Sequence, residues 1–307
     1  MNFTYLNHLK YYIDDTLYGA RTNGIEKFLV NVGIIDNDHY SKNTFQSELR
    51  RVADLVYKDY GKNFALFLSG GTDSEIVLRN FLSIGIKPTC FTIRFLDDYN
   101  ISDVLESIEL AKDLGVKLNI IDFDIKEFYY SGQSSEFAKK IQCTQITYLM
   151  VYHNILKINL PAVMGGELLL KRNINTDPST WYYCFRENED ASAIRFSNLY
   201  NLPLVNEWFS YTPEVMLYYL EDPDIKNLVS TKYNYKLTSV SSKNTILKRL
   251  LPEIRVRKKT HGFENLLAFN YEVYRRLMSE HILRLESSVD GIEYSEVINT
   301  LRGNKCQ

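Results

Sequence analysis

FALFL, residues 64–68, runs directly into SGGTDS and then into EIVLRNFLSIG. A short, unbroken apolar run is the pattern of a strand buried on both faces in a parallel sheet. The segment after the glycines has helical periodicity and stops at Gly85. A buried strand that turns through two glycines straight into a helix leaves few architectures open, and the following hundred residues narrow them further. TCFTIRF reads as a strand. SDVLESIELAKDLG reads as a helix, with a serine at its start, acids early and a glycine at its end. KLNIIDFD is another strand, EFAKKIQCTQITYLMVYHNILK one long helix, and PAVMGG a last short apolar run. The alternation predicts an α/β fold: a parallel, Rossmann-like sheet with right-handed crossovers and helices on both faces.

On either side the pattern changes. Residues 1–44 are mixed and rich in Asn and Asp, and read as a small N-terminal cap. FQSELRRVADLVYKDYG then has Leu49, Val52, Leu55 and Val56 on one helical face and Gly61 as its stop. Residues 45–205 form the expected core. Residues 206–307 are expected to be a helical portion packed on it, through TPEVMLYYLED, PDIKNLV, NTILKRLLPEI and ENLLAFNYEVYRRLMSEHILRLE. The 36 Lys and Arg against 38 Asp and Glu give a net charge of -2, so no global positive field advertises nucleic acid or an anionic membrane. Four cysteines without a CxxC pair argue against a structural zinc, a redox dithiol or a disulfide framework, and for buried thiols in a reducing compartment. Neither a signal peptide nor a membrane-spanning run is evident, so a cytoplasmic location is expected. Aromatics at helical spacing, such as Tyr148 and Tyr152, read as core.

Ser69-Gly70-Gly71-Thr72-Asp73-Ser74 thus falls at the carboxyl end of the first core strand, where open α/β sheets bind ligands. The glycines let backbone approach an anion, and successive N–H groups at a helix start favour phosphate. The hydroxyls of Ser69, Thr72 and Ser74 add donors. Asp73 would repel phosphate unless a cation lies between them, which points to a magnesium-bound polyphosphate. A Walker A loop requires a lysine after its last glycine, and the dinucleotide fingerprint requires G-x-G-x-x-G; the loop has neither.

SGGTDS resembles the SGGxDS loop of the PP-loop ATP pyrophosphatases, which cleave ATP between the α and β phosphates and hold the leaving pyrophosphate on this loop. Within that superfamily the chain is most similar to the synthetase domain of asparagine synthetases. CFTIRFLDDYNISDVLESIELAKDLGVKLNIIDFD resembles that family's second strand, helix and third strand; AVMGGELLLKR resembles its later strand and nucleotide-facing turn; LLPEIRVRKKTHGFENLL resembles its late R-x-K segment. The similarity runs from roughly Phe45 to Leu285. It implies an adenine nucleotide alpha hydrolase-like fold, with ATP and Mg2+ as cofactors. The chain departs from the family in its fourth-strand turn, which offers a single acid, Glu167, and in the lysine-to-GF spacing, which leaves both Lys258 and Lys259 as candidates for the pyrophosphate-binding residue. No cysteine follows Met1 and only about sixty residues precede the core, so glutamine hydrolysis is not expected.

Several further residues join the candidate site. Thr92, Ile93 and Arg94, at the second strand's end, are placed for adenine through their backbone, with the Arg94 side chain in reach of a phosphate. Gly165 and Gly166 line the opposite strand end, and Glu167 behind them is a candidate magnesium or substrate ligand. Asp97 and Asp98 lie at the level of base and ribose, where exposed loop acids are also common. Lys248, Arg249, Arg255, Arg257, Lys258 and Lys259 are the densest cation cluster; charge building on a leaving pyrophosphate needs such partners, and a nucleic-acid footprint is the rival reading. His261 reads as a local hydrogen-bonding residue. Cys143 and Cys184 are candidates for sulfur transfer if they are not simply buried.

The expected activity is adenylation of an acceptor, a carboxylate for preference. Asp73, Glu167, Lys258 and Lys259 would be catalytic, Asp73 and Glu167 would hold the metal, and the adenylate would pass to free ammonia, to ammonia from a separate glutaminase subunit, or to an amine. Two alternatives stand beside it: modification of a nucleobase in tRNA, DNA or a nucleoside, and a non-catalytic adenine-nucleotide sensor.

Overall fold

The computed structural model describes residues 8–22, 25–166, 170–173, 177–230, 239–255 and 289–304. The chain opens with a small antiparallel sheet of β1 (Lys10–Ile13), β2 (Thr16–Leu17) and β3 (Phe28–Asn31), in the order β2-β1-β3. Helices α1 (Asn37–Lys42) and α2 (Phe45–Tyr60) follow. α2 has the caps its sequence calls for: Thr44 and Ser47 exchange side-chain and backbone hydrogen bonds in a capping box, and Gly61 ends it at φ 74°.

The core alternates as expected. β4 (Ala65–Phe67), α3 (Thr72–Ser83), β5 (Thr89–Phe95), α4 (Ile101–Asp113) and β6 (Leu118–Phe123) lead to α5 (Ile125–Tyr130), α6 (Gln133–Ile141), α7 (Ile146–Ile158) and β7 (Ala162–Val163). A hairpin, β8 (Leu170–Asn173) and β9 (Asp177–Arg186), precedes α8 (Ser192–Tyr200) and β10 (Leu204–Val205). Five strands form one sheet in the order β10-β7-β4-β5-β6, every neighbouring pair parallel. Period-two alternation sorts β4 cleanly: Leu66 and Leu68 join the core on the α2–α3 side, Ala65 and Phe67 the core on the α5–α8 side. The fold is therefore a Rossmann-like α/β sheet with helices on both faces. Chain order reverses between β4 and β7, so the switch point lies there.

α9 (Pro213–Leu220), α10 (Pro223–Ser230) and α11 (Ser239–Leu250) coincide with three of the helices expected after Pro203; the fourth, ENLLAFNYEVYRRLMSEHILRLE, lies outside the described residues. β11 (Val289–Glu293), which periodicity did not reveal, pairs antiparallel with β9 in a third sheet, β11-β9-β8, before a final helix, α12 (Tyr294–Leu301). Among the described residues no helix is long and apolar enough to cross a membrane.

Two local expectations fail for tertiary reasons. The single helix predicted over residues 136–157 is broken at Gln142, which stands at φ 50°. Its side-chain amide is spent on the backbone of Arg21, accepting from Arg21 N at 2.8 Å and donating to Arg21 O at 2.7 Å. The helix expected to start at Ser102 starts one residue earlier, at Ile101. Asn100, at the N-cap, makes no cap bond: its amide closes the end of β5, accepting from Phe95 N and donating to Ile93 O, both at 2.8 Å.

Buried polar groups tie the N-terminal sheet and α2 to the core. His8 donates from Nε2 to Ser210 O (2.9 Å) and accepts at Nδ1 from Gly33 N (3.1 Å); burial pushes its imidazole down to about 3, so it stays neutral. The buried Glu187 carboxylate receives Arg21 at 2.8 Å and Arg195 at 2.7 Å. Glu48, fully buried on α2, is met by Arg51 (2.6 Å), His39 (2.8 Å) and Thr212 (2.9 Å), while Arg51 also reaches Glu214 at 2.9 Å. Burial alone would raise the Glu48 carboxyl, but its partners outweigh burial and hold it below the ordinary range. A lowered folded-state value means the contribution is complete at neutral pH and is lost as acid protonates the group. Glu48→Gln should therefore cost about 3 kcal/mol at neutral pH. It should also flatten the acid limb of stability, read from urea melts between about pH 3 and 7. An unchanged acid limb would remove Glu48 as its source.

Candidate active site

The site is built where β4 ends. Leu68 N extends the pairing with β5 through Phe91 O at 2.7 Å, after which Ser69–Gly71 turn and α3 begins at Thr72. Gly71 is the N-cap and no side chain caps the helix. Helix geometry leaves the first-turn N–H groups without intrahelical acceptors and sets the positive end of the helix dipole at the crevice. Ser74 fastens the turn: its hydroxyl donates to Gly71 O at 3.0 Å and accepts from Ser69 N at 3.3 Å. Its proton is thus used inside the loop. Ser69, Gly71 and Asp73 are half-buried, facing the crevice rim; Thr72 and Ser74 are buried.

Three glycines set how closely the surrounding segments approach. Gly70 stands at φ +70°, and a Cβ there would lie 2.6 Å from Asp103 O in the first turn of α4. A Cβ at Gly165 would lie 2.8 Å from the Cβ of Asp73. At Gly166, also φ +70°, it would lie 2.0 Å from Asn206 O. Backbone therefore touches backbone across the β4, β7 and β10 ends, a density that excludes any side chain larger than hydrogen. The residues Ser69–Ser74, Gly165 and Gly166, predicted together, are brought together.

The other predicted residues are placed as follows. Thr92 is buried and donates to Ser107 Oγ at 3.4 Å, which itself reaches Leu68 O and Asp103 O; this pins α4 over the start of the loop. Ile93 O accepts from Asn100. Arg94 forks onto Asp122 at 2.6 and 2.9 Å, and its hydrogen bonds hold that carboxyl low. The structure thus joins Arg94 to the neighbouring strand, not to the loop. Asp97 pairs with Lys126 at 3.0 Å, and Asp97 and Asp98 both have positive φ. Glu167, Lys258, Lys259 and His261 lie outside the described residues. Of the cation cluster, Arg249 is engaged by Asp222 at 2.5 Å and Arg255 by Glu109 at 2.7 Å and by Asp113. Cys90, Cys143 and Cys184 are buried, and burial pushes the Cys90 thiol up to about 12. Tyr152 is core and stacks on Tyr148.

Sequence reasoning missed the β10 end and the foot of α9. Asn206 backs Gly166, and the buried Glu207 accepts from Tyr11 OH at 2.6 Å. Burial, then the carboxylates of Asp222 and Asp73, push the Tyr219 phenol well above its ordinary value. The strand-end rule applied to PLVNEW would have found Asn206 and Glu207; nothing local marks Tyr219. Among the described residues no group of three or more His, Cys, Asp or Glu is arranged to hold a metal ion.

No family model matches this chain, and no curated protein does. Among solved structures it is similar to the NMN synthetase of Francisella tularensis, at 12% identity over 77% of this chain and 94% of that one, with a TM-score of 0.31. It is also similar to a predicted tRNA methyltransferase subunit of Methanocaldococcus jannaschii, at 14% identity over 61% and 87%, with a TM-score of 0.32. Likenesses this loose carry no functional argument; the fold assignment rests on the strand order and pairing above.

The glycine contacts set a clear contrast. Gly166→Ala must move the Asn206 carbonyl as well as hold a left-handed residue, and should cost about 3 kcal/mol or more. Gly85→Ala, at φ +79° with open space around it, should cost only about 1 kcal/mol. Equal midpoints in urea would contradict the close-packed crevice.

Proposed function

We propose that the chain is a PP-loop ATP pyrophosphatase-type synthetase, which adenylates an acceptor and releases pyrophosphate. The observation that carries this reading is the position of SGGTDS. The loop enters α3 at the switch point of a parallel sheet, with uncapped first-turn N–H groups and backbone packed too closely for side chains. ATP binds with its β and γ phosphates on Ser69–Ser74 and its base toward the β5 end. Asp73 would hold a magnesium ion, which is commonly bound by one or two carboxylates plus substrate phosphates. The metal supplies charge neutralisation on the leaving group.

The acceptor is a carboxylate, whose oxygen displaces pyrophosphate in line from the α phosphorus; the acyl-adenylate then passes to ammonia or an amine with release of AMP. Ammonia is taken free or from a separate glutaminase subunit. Lys258, Lys259 and Glu167 are the residues proposed to complete the site. The pairing of Arg249 and Arg255 with carboxylates of this same chain favours a small-molecule acceptor over nucleic acid, since those cations are already neutralised.

Purified protein with Mg·ATP, ammonium and separate pools of amino acids, other carboxylates, nucleosides and RNA should release AMP and pyrophosphate with one pool. Asp73→Asn should lower that rate by about 100-fold or more, because it removes the carboxylate proposed to hold the cation that neutralises the leaving group. ADP as the product would overturn the mechanism. Bound but uncleaved ATP with every pool would favour a nucleotide sensor.

A further inference from the structure

β6 is an outer strand of the parallel sheet, and among the described residues nothing pairs with its free side. An open strand edge is usually protected by charge, by a bulge or by a covering element. This one carries Ile120 at mid-strand, 43% exposed. Ile120 shares parity with Leu118, which packs on the α2–α4 side of the sheet, so it faces that side too. Two more exposed aliphatics stand on the neighbouring helix: Leu105 at 56% and Ile108 at 39%. Asp103 and Glu106 occupy the flank of α4 that presses on Gly70 and β4. Ile108 lies on the opposite flank, and Leu105, one turn before it, stands further out toward solvent. The result is one apolar patch on a hydrogen-bonding edge.

We infer that this edge is a homodimer interface, occupied by the β6 edge of a second copy. A two-fold axis normal to the sheet is the operation that joins two such edges antiparallel while keeping each face continuous. It pairs residues of equal parity. With Ile120 on the axis, Ile120 meets Ile120 of the second copy and Leu118 meets its Asp122. Ile108 of both copies then closes over the two isoleucines, with Leu105 outside it.

The charges fit the same operation. The amino end of the edge carries Lys112 and Lys117, both exposed. At the carboxyl end Arg94 and Lys126 stand against Asp97, Asp98, Asp122, Asp124 and Glu127, which leaves an acidic excess. Antiparallel pairing lays the basic end of each copy along the acidic end of the other. Parallel or face-to-face association would not.

The test is sedimentation velocity of the full chain from about 1 to about 100 µM, because a dimer is populated by mass action. The native chain should move toward twice its monomer mass. Ile120→Lys, which sets two ammonium groups face to face, should weaken association by at least about tenfold, and Ile120→Val should retain it. Lys117→Glu should weaken it as well, and adding Asp98→Lys to the same chain should restore it. These variants alter exposed side chains; Asp98 also stands at positive φ, so far-UV circular dichroism and a urea melt check that each variant is folded. A native chain that stays monomeric throughout overturns the proposal. So does a dimer indifferent to Ile120→Lys, which would place association on another surface, such as the outer row Leu17, Tyr12 and Leu29 of the N-terminal sheet.

Discussion

Steric exclusion at the crevice is the constraint from which the rest follows. At Gly70, Gly165 and Gly166 the backbone of one segment rests on that of another, leaving no volume for a methyl group. These three contacts fix how far α4, the β7 end and the β10 end stand from the loop that opens α3. Because interiors are close-packed, the spacing propagates outward as rigid position. Hydrogen bonds then trim the arrangement: Ser74 closes the turn, Ser107 ties α4 to Leu68 O, and Asn100 terminates β5. None of these groups needs to touch a ligand to decide the shape a ligand meets.

Electrostatics does a different job in this molecule. Two of its buried charges, Glu187 and Glu48, each gather cations from separate elements, and Glu75, buried in the first turn of α3, pairs with Arg79. Such groupings add little net stability compared with apolar packing, but breaking one leaves an uncompensated charge, so they specify which elements may meet. At the loop itself Asp73 is half-buried in a first turn that no side chain caps, while Arg249 and Arg255 are paired with Asp222 and Glu109. A polyanion arriving at the loop would therefore rely on backbone dipoles first.

How much of this was legible from sequence depended on how local the cause was. The strand–glycine–helix unit at 64–85 and the alternation after it carry their structure in apolar period and caps, and the sheet follows. Gln142 did not: a residue inside a strongly helical pattern leaves it because Arg21, far away in the chain, takes its amide. Ser102 had the right chemistry for a cap, yet the helix starts at Ile101 and its N-cap is Asn100, whose side chain a strand end had claimed. The N-terminal sheet and β11 were hidden for a related reason, since short strands take their stability from partners rather than from pattern. In the candidate site, motif spacing pointed to the loop itself; Asn206 and Glu207 stand at a strand end that PLVNEW marks, whereas Tyr219 leaves no local mark.

The bonds that seat the N-terminal sheet have a temporal consequence. His8 meets Ser210, Tyr11 meets Glu207 and Arg21 meets Glu187, across 202, 196 and 166 residues. During synthesis this segment leaves the ribosome first, while its partners follow about 10 to 40 s later at ordinary elongation rates. The β4–β5–β6 unit, whose neighbours are close in sequence, can assemble in the interval. The N-terminal segment is thus made before the partners it docks on, and until they follow Tyr11, Phe28 and Val30 lack the core that buries them. Loss of the segment that supplies Ser210 and Glu207 would leave residues 8–31 without their docking surface, and so open to proteolysis.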